Sequence, residues 1–235
     1  MAQSIFKNTL LLIGLITSIY GVIGAIAAER LRRFVGFMVL SSGGTLLIAI
    51  AMFNTQAWSA GLYYLVHSTL IAAAFYLFCG WITAQRGMFK DHLKVAPKIK
   101  NEKAAALTYF LIAMMMAGLP PFSGFLGKVF ILQATAETAY QGWIIAIILI
   151  VSLLSILALT RVGFILFWRA SPPEIDPNEA AYQTYQGLPA YAPNRNDTAI
   201  YIILAGLMAY VVFASPIQTY TVLTAQQIQN HALYN

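Results

Sequence analysis

The fold of this chain is decided by the segment Ala117-Gly118-Leu119-Pro120-Pro121-Phe122-Ser123-Gly124-Phe125-Leu126-Gly127-Lys128. It lies within a long apolar run, Ala104 to Thr135, that carries no other charged residue. Proline removes helical hydrogen bonds and glycine weakens a helix, so the run predicts a helix that is broken near its middle. The break is formed by Gly118, Pro120, Pro121, Gly124 and Gly127. Freed backbone at membrane depth is tolerated only where it is buried in protein or lines water.

Lys128 is the most informative side chain of this segment. An ammonium group in the middle of a bilayer costs at least roughly 3 kcal/mol unless it faces a partner or a wet cavity. We therefore treat Lys128 as a functional candidate.

Composition indicates a membrane protein, because 60% of the residues are hydrophobic and only 9% are charged. Such values lie outside the range of soluble globular domains. Six nearly uncharged stretches have about the 20 residues that cross a bilayer. They are Asn8 to Ala28, Phe34 to Phe53, Ala57 to Ala84, Ala104 to Thr135, Trp143 to Trp168 and Thr198 to Ser215. We predict an all-α, polytopic fold with six transmembrane helices, the fourth discontinuous and the sixth closed by Pro216.

The distribution of basic residues predicts the orientation. Arg and Lys concentrate in the connections after the first, third and fifth stretches, whereas the connections after the second and fourth contain none. Because basic loops stay on the cytoplasmic side, both termini are expected outside. The net charge of +6 is then a topology signal, and nucleic acid binding is not expected.

The chain divides into three parts. Residues 1–170 contain the first five stretches, residues 171–197 form a polar, proline-rich connection, and residues 198–235 hold the last stretch and a tail. The first stretch is too long for a secretory signal peptide and is expected to remain as a span. Cys79 is the only cysteine, so neither a disulfide nor a cysteine metal site is expected. We expect no cofactor.

His67 is the second candidate, because imidazole can exchange protons near neutral pH. The alternative is a neutral histidine bonded to a neighbouring helix, and Lys128 shifts the balance toward a proton path. Residues that could support the path are Ser42, Ser68, Thr69, Ser123 and Arg161. For Arg161, snorkelling to the interface is favoured. For the polar cluster Ser41 to Thr45, close helix packing is favoured over a water-lined role.

Four segments resemble one family. Gly118 to Lys128 matches the pattern GLPPxSGFxGK of the discontinuous twelfth helix in the D-type subunit of Mrp/Pha multisubunit cation/proton antiporters. Tyr63 to Leu70 is similar to the eleventh helix of that D-type subunit, and Glu29 to Arg33 is similar to the start of the tenth. Leu159 to Arg169 fits the end of the thirteenth. Antiporter-like subunits of respiratory complex I share this plan.

The resemblance implies a 14-helix protein with two inverted five-helix repeats, each holding a half-channel. Lys128 would be the lysine of the second broken helix, near the outer exit, and His67 the relay histidine before it. Ser42 stands where complex I relatives often have a further histidine. The relay here would therefore depend more on water.

The largest departure from the family is length, because six stretches correspond only to helices nine to fourteen. The glutamate on the family's fifth helix and the lysines on its seventh and eighth helices have no counterpart. We therefore expect the C-terminal half of a D-type antiporter protein, from a split gene or a truncated copy. The expected protein is a transporter component of the bacterial inner membrane and not an enzyme.

The expected partners are other antiporter subunits, a chain supplying the N-terminal half, protons and a monovalent cation. The sequence leaves Na⁺ and K⁺ open. It also leaves two alternatives. The chain could be a proton-pumping fragment related to complex I or a membrane hydrogenase. The amino-acid sequence of Gly118 to Lys128 disfavours this alternative. The chain could also be a degenerate structural piece, which the costly charge of Lys128 disfavours.

Overall fold

A computed structural model describes residues 2–94, 96, 99, 101–136, 138, 140–169 and 195–232. Most of the predicted connection 171–197 lies outside these residues. The described part is helical, with one isolated β-bridge between Arg30 and His92. Its α-helices are α1 (Ala2–Ile26), α2 (Leu31–Ala51), α3 (Thr55–Gln85), α4 (Glu102–Ala117), α5 (Ser123–Gln133), α6 (Gln141–Gly163), α7 (Arg195–Val212) and α8 (Ala214–Ala232). A π-helical turn, Phe164–Trp168, extends α6.

Four helices, α1, α2, α3 and α6 with its extension, are long and apolar enough to cross a membrane. The bent pair α7 and α8 makes a fifth candidate if it is counted as one span. These helices confirm the prediction of a multi-pass, all-α membrane protein. By contrast, α4 has 16 residues and α5 has 11. Neither alone has the roughly 20 residues that a bilayer requires.

The polar cluster Ser41 to Thr45 packs α2 against α1. The Ser41 hydroxyl donates a hydrogen bond to the Ser18 carbonyl over 2.9 Å. A Cβ atom at Gly44 would lie 2.7 Å from the Gly14 carbonyl oxygen, so the backbones approach too closely for any larger residue. The cluster therefore does what small residues usually do between membrane helices, and α2 is continuous through it.

An aromatic core joins α3, α4 and α6. Phe75, Phe78 and Tyr109 are fully buried and meet at ring-centroid distances between 5.8 and 6.2 Å. The Tyr109 hydroxyl donates to the Leu159 carbonyl of α6 over 2.6 Å. This contact fixes α4 beside α6, and it thereby places the end of α4 opposite the middle of α6.

Arg86 organises the connection that follows α3. Its guanidinium is buried and donates to the carbonyls of His92 and Lys94 over 2.7 and 2.9 Å. Burial lowers the pKa of Arg86 to about 10, while the charge of Asp91 opposes the shift. The group is still charged at neutral pH. Arg86 is therefore more than a topology signal, since it holds this connection against the start of α2.

The end of the chain differs from its prediction. The sequence predicts that Pro216 closes the last helix, but α7 ends at Val212 and Pro216 lies in the first turn of α8. Proline is tolerated there because the first-turn N–H groups need no helical partner. The two helices are bent by 81°. α8 packs on α3 through hydrogen bonds between Ser59 and Thr221 and between Thr55 and Gln229.

Asn54 links two helix ends. Its side-chain oxygen accepts from the Ala57 N–H as the N-cap of α3, and its amide donates to the Ala134 carbonyl at the end of α5. We expect Asn54→Ala to lower the free energy of unfolding by about 2 kcal/mol, since both bonds are lost. Asn54→Asp keeps the cap and should cost about half as much. Labelling of Cys79, the sole cysteine, by a maleimide dye during heating measures the loss of stability in both variants. Equal losses in the two variants would contradict the link to α5.

Candidate functional site

The break between α4 and α5 is built by its glycines. α4 ends at Ala117, and Gly118 follows in the left-handed region with φ of 74°. Its N–H bonds back to the carbonyls of Met114 and Met115. Glycine is the residue that most easily adopts this conformation, which ends helices in many proteins. α5 begins five residues later, at Ser123.

Lys128 points from α5 back to the end of α4. Its ammonium donates to the Ala117 carbonyl over 2.8 Å and to the Ser152 hydroxyl of α6 over 3.0 Å. The last carbonyls of a helix lack helical partners and carry a partial negative charge. The cation therefore lies where the broken helix offers it the best available stabilisation.

His67 occupies the other side of the break. The side chain is buried in the middle of α3, and its Nδ1 lies 2.8 Å from the Ser123 hydroxyl, at the first residue of α5. The imidazole also lies close to the Met115 carbonyl, in the last turn of α4. His67 thus contacts both helices that flank the break.

Two glycines allow close packing at the break beside His67 and Lys128. A Cβ atom at Gly124 would lie 2.6 Å from both His67 Nε2 and the Met115 carbonyl oxygen. A Cβ atom at Gly118 would lie 3.2 Å from Lys128 Nζ. The third glycine, Gly127, lets α5 approach the Tyr64 side chain. The glycines are therefore needed for the approach of the two ionisable side chains.

A small polar cavity adjoins Lys128. Its volume is about 10 Å³, close to the least that one water molecule requires. The polar side chains in its wall are Ser41, Ser42, Thr45, Tyr64, Lys128, Ser152 and Ser155. The Tyr64 hydroxyl donates to Ser42 over 3.4 Å. The same cluster that packs α1 against α2 thus also supplies hydroxyl groups beside the lysine.

The structure brings only some of the predicted supporting residues to Lys128 and His67. Ser42 and Ser123 are there. Ser68 and Thr69 instead donate to the Leu65 carbonyl of their own helix, and Thr69 is exposed. Hydroxyls on a helix commonly bond the preceding turn in this way.

Arg161 lies apart from this site. It follows Ser152 by nine residues of α6, which corresponds to about 13 Å along the helix axis. Its guanidinium is exposed and donates to the Ile26 carbonyl over 2.9 Å, at the end of α1. Arg161 therefore contacts a helix terminus, away from Lys128 and His67.

Ser152 and Ser155 are site residues that the sequence did not single out. They are the first two hydroxyl-bearing residues in the apolar stretch that begins at Trp143, and they are three positions apart. Residues at this spacing share one helix face. That pattern predicts a polar stripe on α6, but only the fold shows that the stripe faces Lys128.

Metal chemistry has no candidate in the described part of the chain. No group of three or more His, Cys, Asp or Glu side chains there is placed to hold a metal ion.

Comparison with known proteins identifies the family. The model of the family described as NADH:quinone oxidoreductase/Mrp antiporter, TM, matches residues 1–156. The chain belongs to this family. It is 30% identical over 174 residues to the D-type subunit of the Na(+)/H(+) antiporter of Bacillus subtilis, covering 74% of this chain and 34% of the relative. It is also 30% identical over 183 residues to the D-type subunit of a probable K(+)/H(+) antiporter of Rhizobium meliloti, covering 66% and 34%.

Solved structures share the fold. A chain in the structure of the Mrp complex from Dietzia aligns with a TM-score of 0.80 and 22% identity, over 98% of this chain and 49% of that one. A chain of respiratory complex I from Thermus thermophilus aligns with a TM-score of 0.76 and 17% identity, over 95% and 44%. The chain spans about a third of the length of the curated relatives it matches. The predicted resemblance to D-type antiporter subunits is thereby confirmed.

The contact between Gly124 and His67 makes a direct prediction. We expect Gly124→Ala to lower the free energy of unfolding by about 1–3 kcal/mol, because the added methyl must displace the imidazole or the end of α4. Dye labelling of Cys79 during heating measures the change. Gly80→Ala is the matched control, since nothing lies within 4 Å of its Cβ position in α3, and alanine there should be neutral or stabilising. Equal stability of the two variants would contradict the described packing.

Proposed function

We propose that this chain is a membrane subunit of a monovalent cation/proton antiporter and contributes one proton half-channel. The observation that carries the proposal is the placement of Lys128 and His67 on the two sides of the break between α4 and α5. Relatives named as Na⁺/H⁺ and K⁺/H⁺ antiporter subunits support the coupling to a cation. In this proposal α4 and α5 together form one discontinuous span, and the chain has six spans.

The proposed path runs from His67 to Lys128 and then into the cavity. His67 takes up a proton and passes it toward Lys128 across the break, where Gly118 and Gly124 pack against the two side chains. Lys128 holds the proton between the Ala117 carbonyl and Ser152. Release follows through a water in the cavity beside Ser42 and Tyr64. Each step moves a proton between groups that can both donate and accept, except that the Ala117 carbonyl only positions the ammonium.

The proposed partners supply the steps that this half-channel lacks. A complete exchange cycle needs an entry half-channel and a cation path, and we assign these to a chain that supplies the N-terminal half and to the other antiporter subunits. The protein is then a transporter subunit and not an enzyme. We place it in the bacterial inner membrane with both termini outside, as the basic connections favour.

The role of Lys128 is tested by substitution. Lys128→Ala should insert normally, because it removes a costly buried charge, yet it should reduce cation-dependent proton exchange on the order of 100-fold. The assay is dequenching of a pH-sensitive dye in inverted vesicles of an antiporter-deficient strain that co-expresses the partner subunits. Lys103→Ala is the control, since Lys103 is exposed at the start of α4. Full exchange in Lys128→Ala would refute the proton path.

The role of His67 is tested by two substitutions. His67→Ala should slow exchange and shift its pH optimum, because the titrating imidazole is lost. His67→Gln keeps a hydrogen bond to Ser123 but cannot titrate, so it should not restore the rate. The pH dependence of exchange in vesicles distinguishes the two roles. A wild-type pH profile in both variants would assign His67 a structural role.

The need for a partner is tested by co-expression. We expect residues 1–235 alone to give low yield and no salt-resistant growth in an antiporter-deficient strain, because one half-channel is not a complete exchange path and its partner helices are absent. Co-expression with an eight-span partner that carries a membrane glutamate and two lysines should restore both. Salt-resistant growth with the lone chain would show a complete path and would end the half-subunit proposal.

A further inference from the structure

A second cavity lies on the outer surface of the helix bundle, away from Lys128. It has a volume of about 290 Å³ and is bounded by Leu46 and Ile50 of α2, by α3 from Trp58 to Leu65, and by Ile228 of α8. We refer to it as the α2–α3–α8 groove. Ile50, Leu65 and Ile228 are 43%, 45% and 43% exposed. The groove is therefore open to the lipid around the protein.

The wall of the groove is apolar. Its one polar hydrogen, on the Trp58 indole nitrogen, is already donated to the Ile50 carbonyl over 3.1 Å. A ligand in the groove therefore meets no unpaired donor in the lining side chains, and a hydrocarbon chain is the chemistry that fits.

The position of the groove matches the depth of an acyl chain below its headgroup. α2 ends at Ala51 and α3 begins at Thr55. One end of the groove, which we call its upper end, lies at these two helix termini. From Trp58 to Leu65 the groove extends seven residues along α3, which is about 10 Å. Tryptophan is enriched at this boundary between headgroups and hydrocarbon. α8 closes the groove from above, and hydrogen bonds between Ser59 and Thr221 and between Thr55 and Gln229 hold it there.

A cation lies beside the upper end. Lys7, the single charged residue of α1, places its ammonium 5.0 Å from the centre of the Phe53 ring. The Phe53 ring lies 5.9 Å from that of Trp58. The positive charge is thus separated from the groove by one aromatic ring, and it lies beside the connection between α2 and α3.

We propose that the α2–α3–α8 groove binds one acyl chain of an anionic phospholipid, with the lipid phosphate beside Lys7. Charge selects this lipid, because a hydrocarbon chain gains little by leaving other lipid chains for an apolar groove. The lipid fills the space between α2, α3 and α8. It thereby supports the outer end of α3, the helix that carries His67. The proposal requires membrane insertion but not antiport activity.

Native mass spectrometry of the full chain, released from vesicles of phosphatidylglycerol and phosphatidylcholine, tests the proposal. We expect one retained phosphatidylglycerol per chain even when phosphatidylcholine is in excess. Lys7→Gln should weaken phosphatidylglycerol retention about five-fold, as expected for one basic residue near a lipid surface. Lys103→Gln is the matched control, because it removes an exposed lysine from the start of another helix, α4, and it should change nothing.

A second pair of variants tests the groove itself. Leu65→Phe adds bulk within the groove and should reduce retention of both lipids. Val66→Phe changes the next residue, which is 41% exposed but does not line the groove, and it should have no effect. The proposal is overturned if phosphatidylcholine is retained as well as phosphatidylglycerol, or if Lys7→Gln behaves like its control. It is also overturned if co-expressed subunits remove the lipid, since the occupant would then be a partner helix.

Discussion

The rest of this structure depends on one hydrogen bond, which Lys128 donates to the carbonyl at the end of α4. α4 stops at Ala117 inside an apolar protein, where an unpaired carbonyl is costly. Lys128 supplies the hydrogen bond, and the carbonyl in turn stabilises a cation that the surroundings would otherwise disfavour. The carbonyl therefore needs the ammonium as a hydrogen-bond donor, and the buried ammonium needs the carbonyl as an acceptor. Gly118 makes this contact possible, since the left-handed turn and the adjacent ammonium leave no room for a side chain.

The neighbouring helices provide further polar contacts to Lys128 and to the break between α4 and α5. α6 presents Ser152 to the ammonium, and Tyr109 holds α6 in place through the Leu159 carbonyl. α3 presents His67 to Ser123 and to the last turn of α4. α2 contributes hydroxyls that both pack against α1 and face the cavity beside Lys128. Packing and polar chemistry therefore share Ser41, and a substitution there would alter both the helix contact and the cavity.

Local signals in the sequence predict much of this arrangement. Proline and glycine locate the break, a single charge in an apolar run identifies Lys128, and a lone intramembrane histidine identifies His67. Partners that come from distant helices are not predictable in this way. Ser152 faces Lys128 because of the rotation of α6, which no local pattern specifies, and Arg161 contacts the end of α1 for the same reason. The bend before α8 escapes prediction because proline can start a helix as well as end one.

The central claim is that Lys128 carries a proton and not merely a charge. It is tested most directly by rebuilding the amine in a Lys128→Cys variant, in a Cys79→Ala background. Alkylation with 2-bromoethylamine creates a side chain with a titratable amine, whereas (2-bromoethyl)trimethylammonium creates a fixed cation. Proton exchange in inverted vesicles that also contain the partner subunits is then compared. We expect exchange to be absent in the unmodified cysteine variant and to return only with the titratable amine. Equal recovery with the fixed cation, or exchange without any modification, would contradict it.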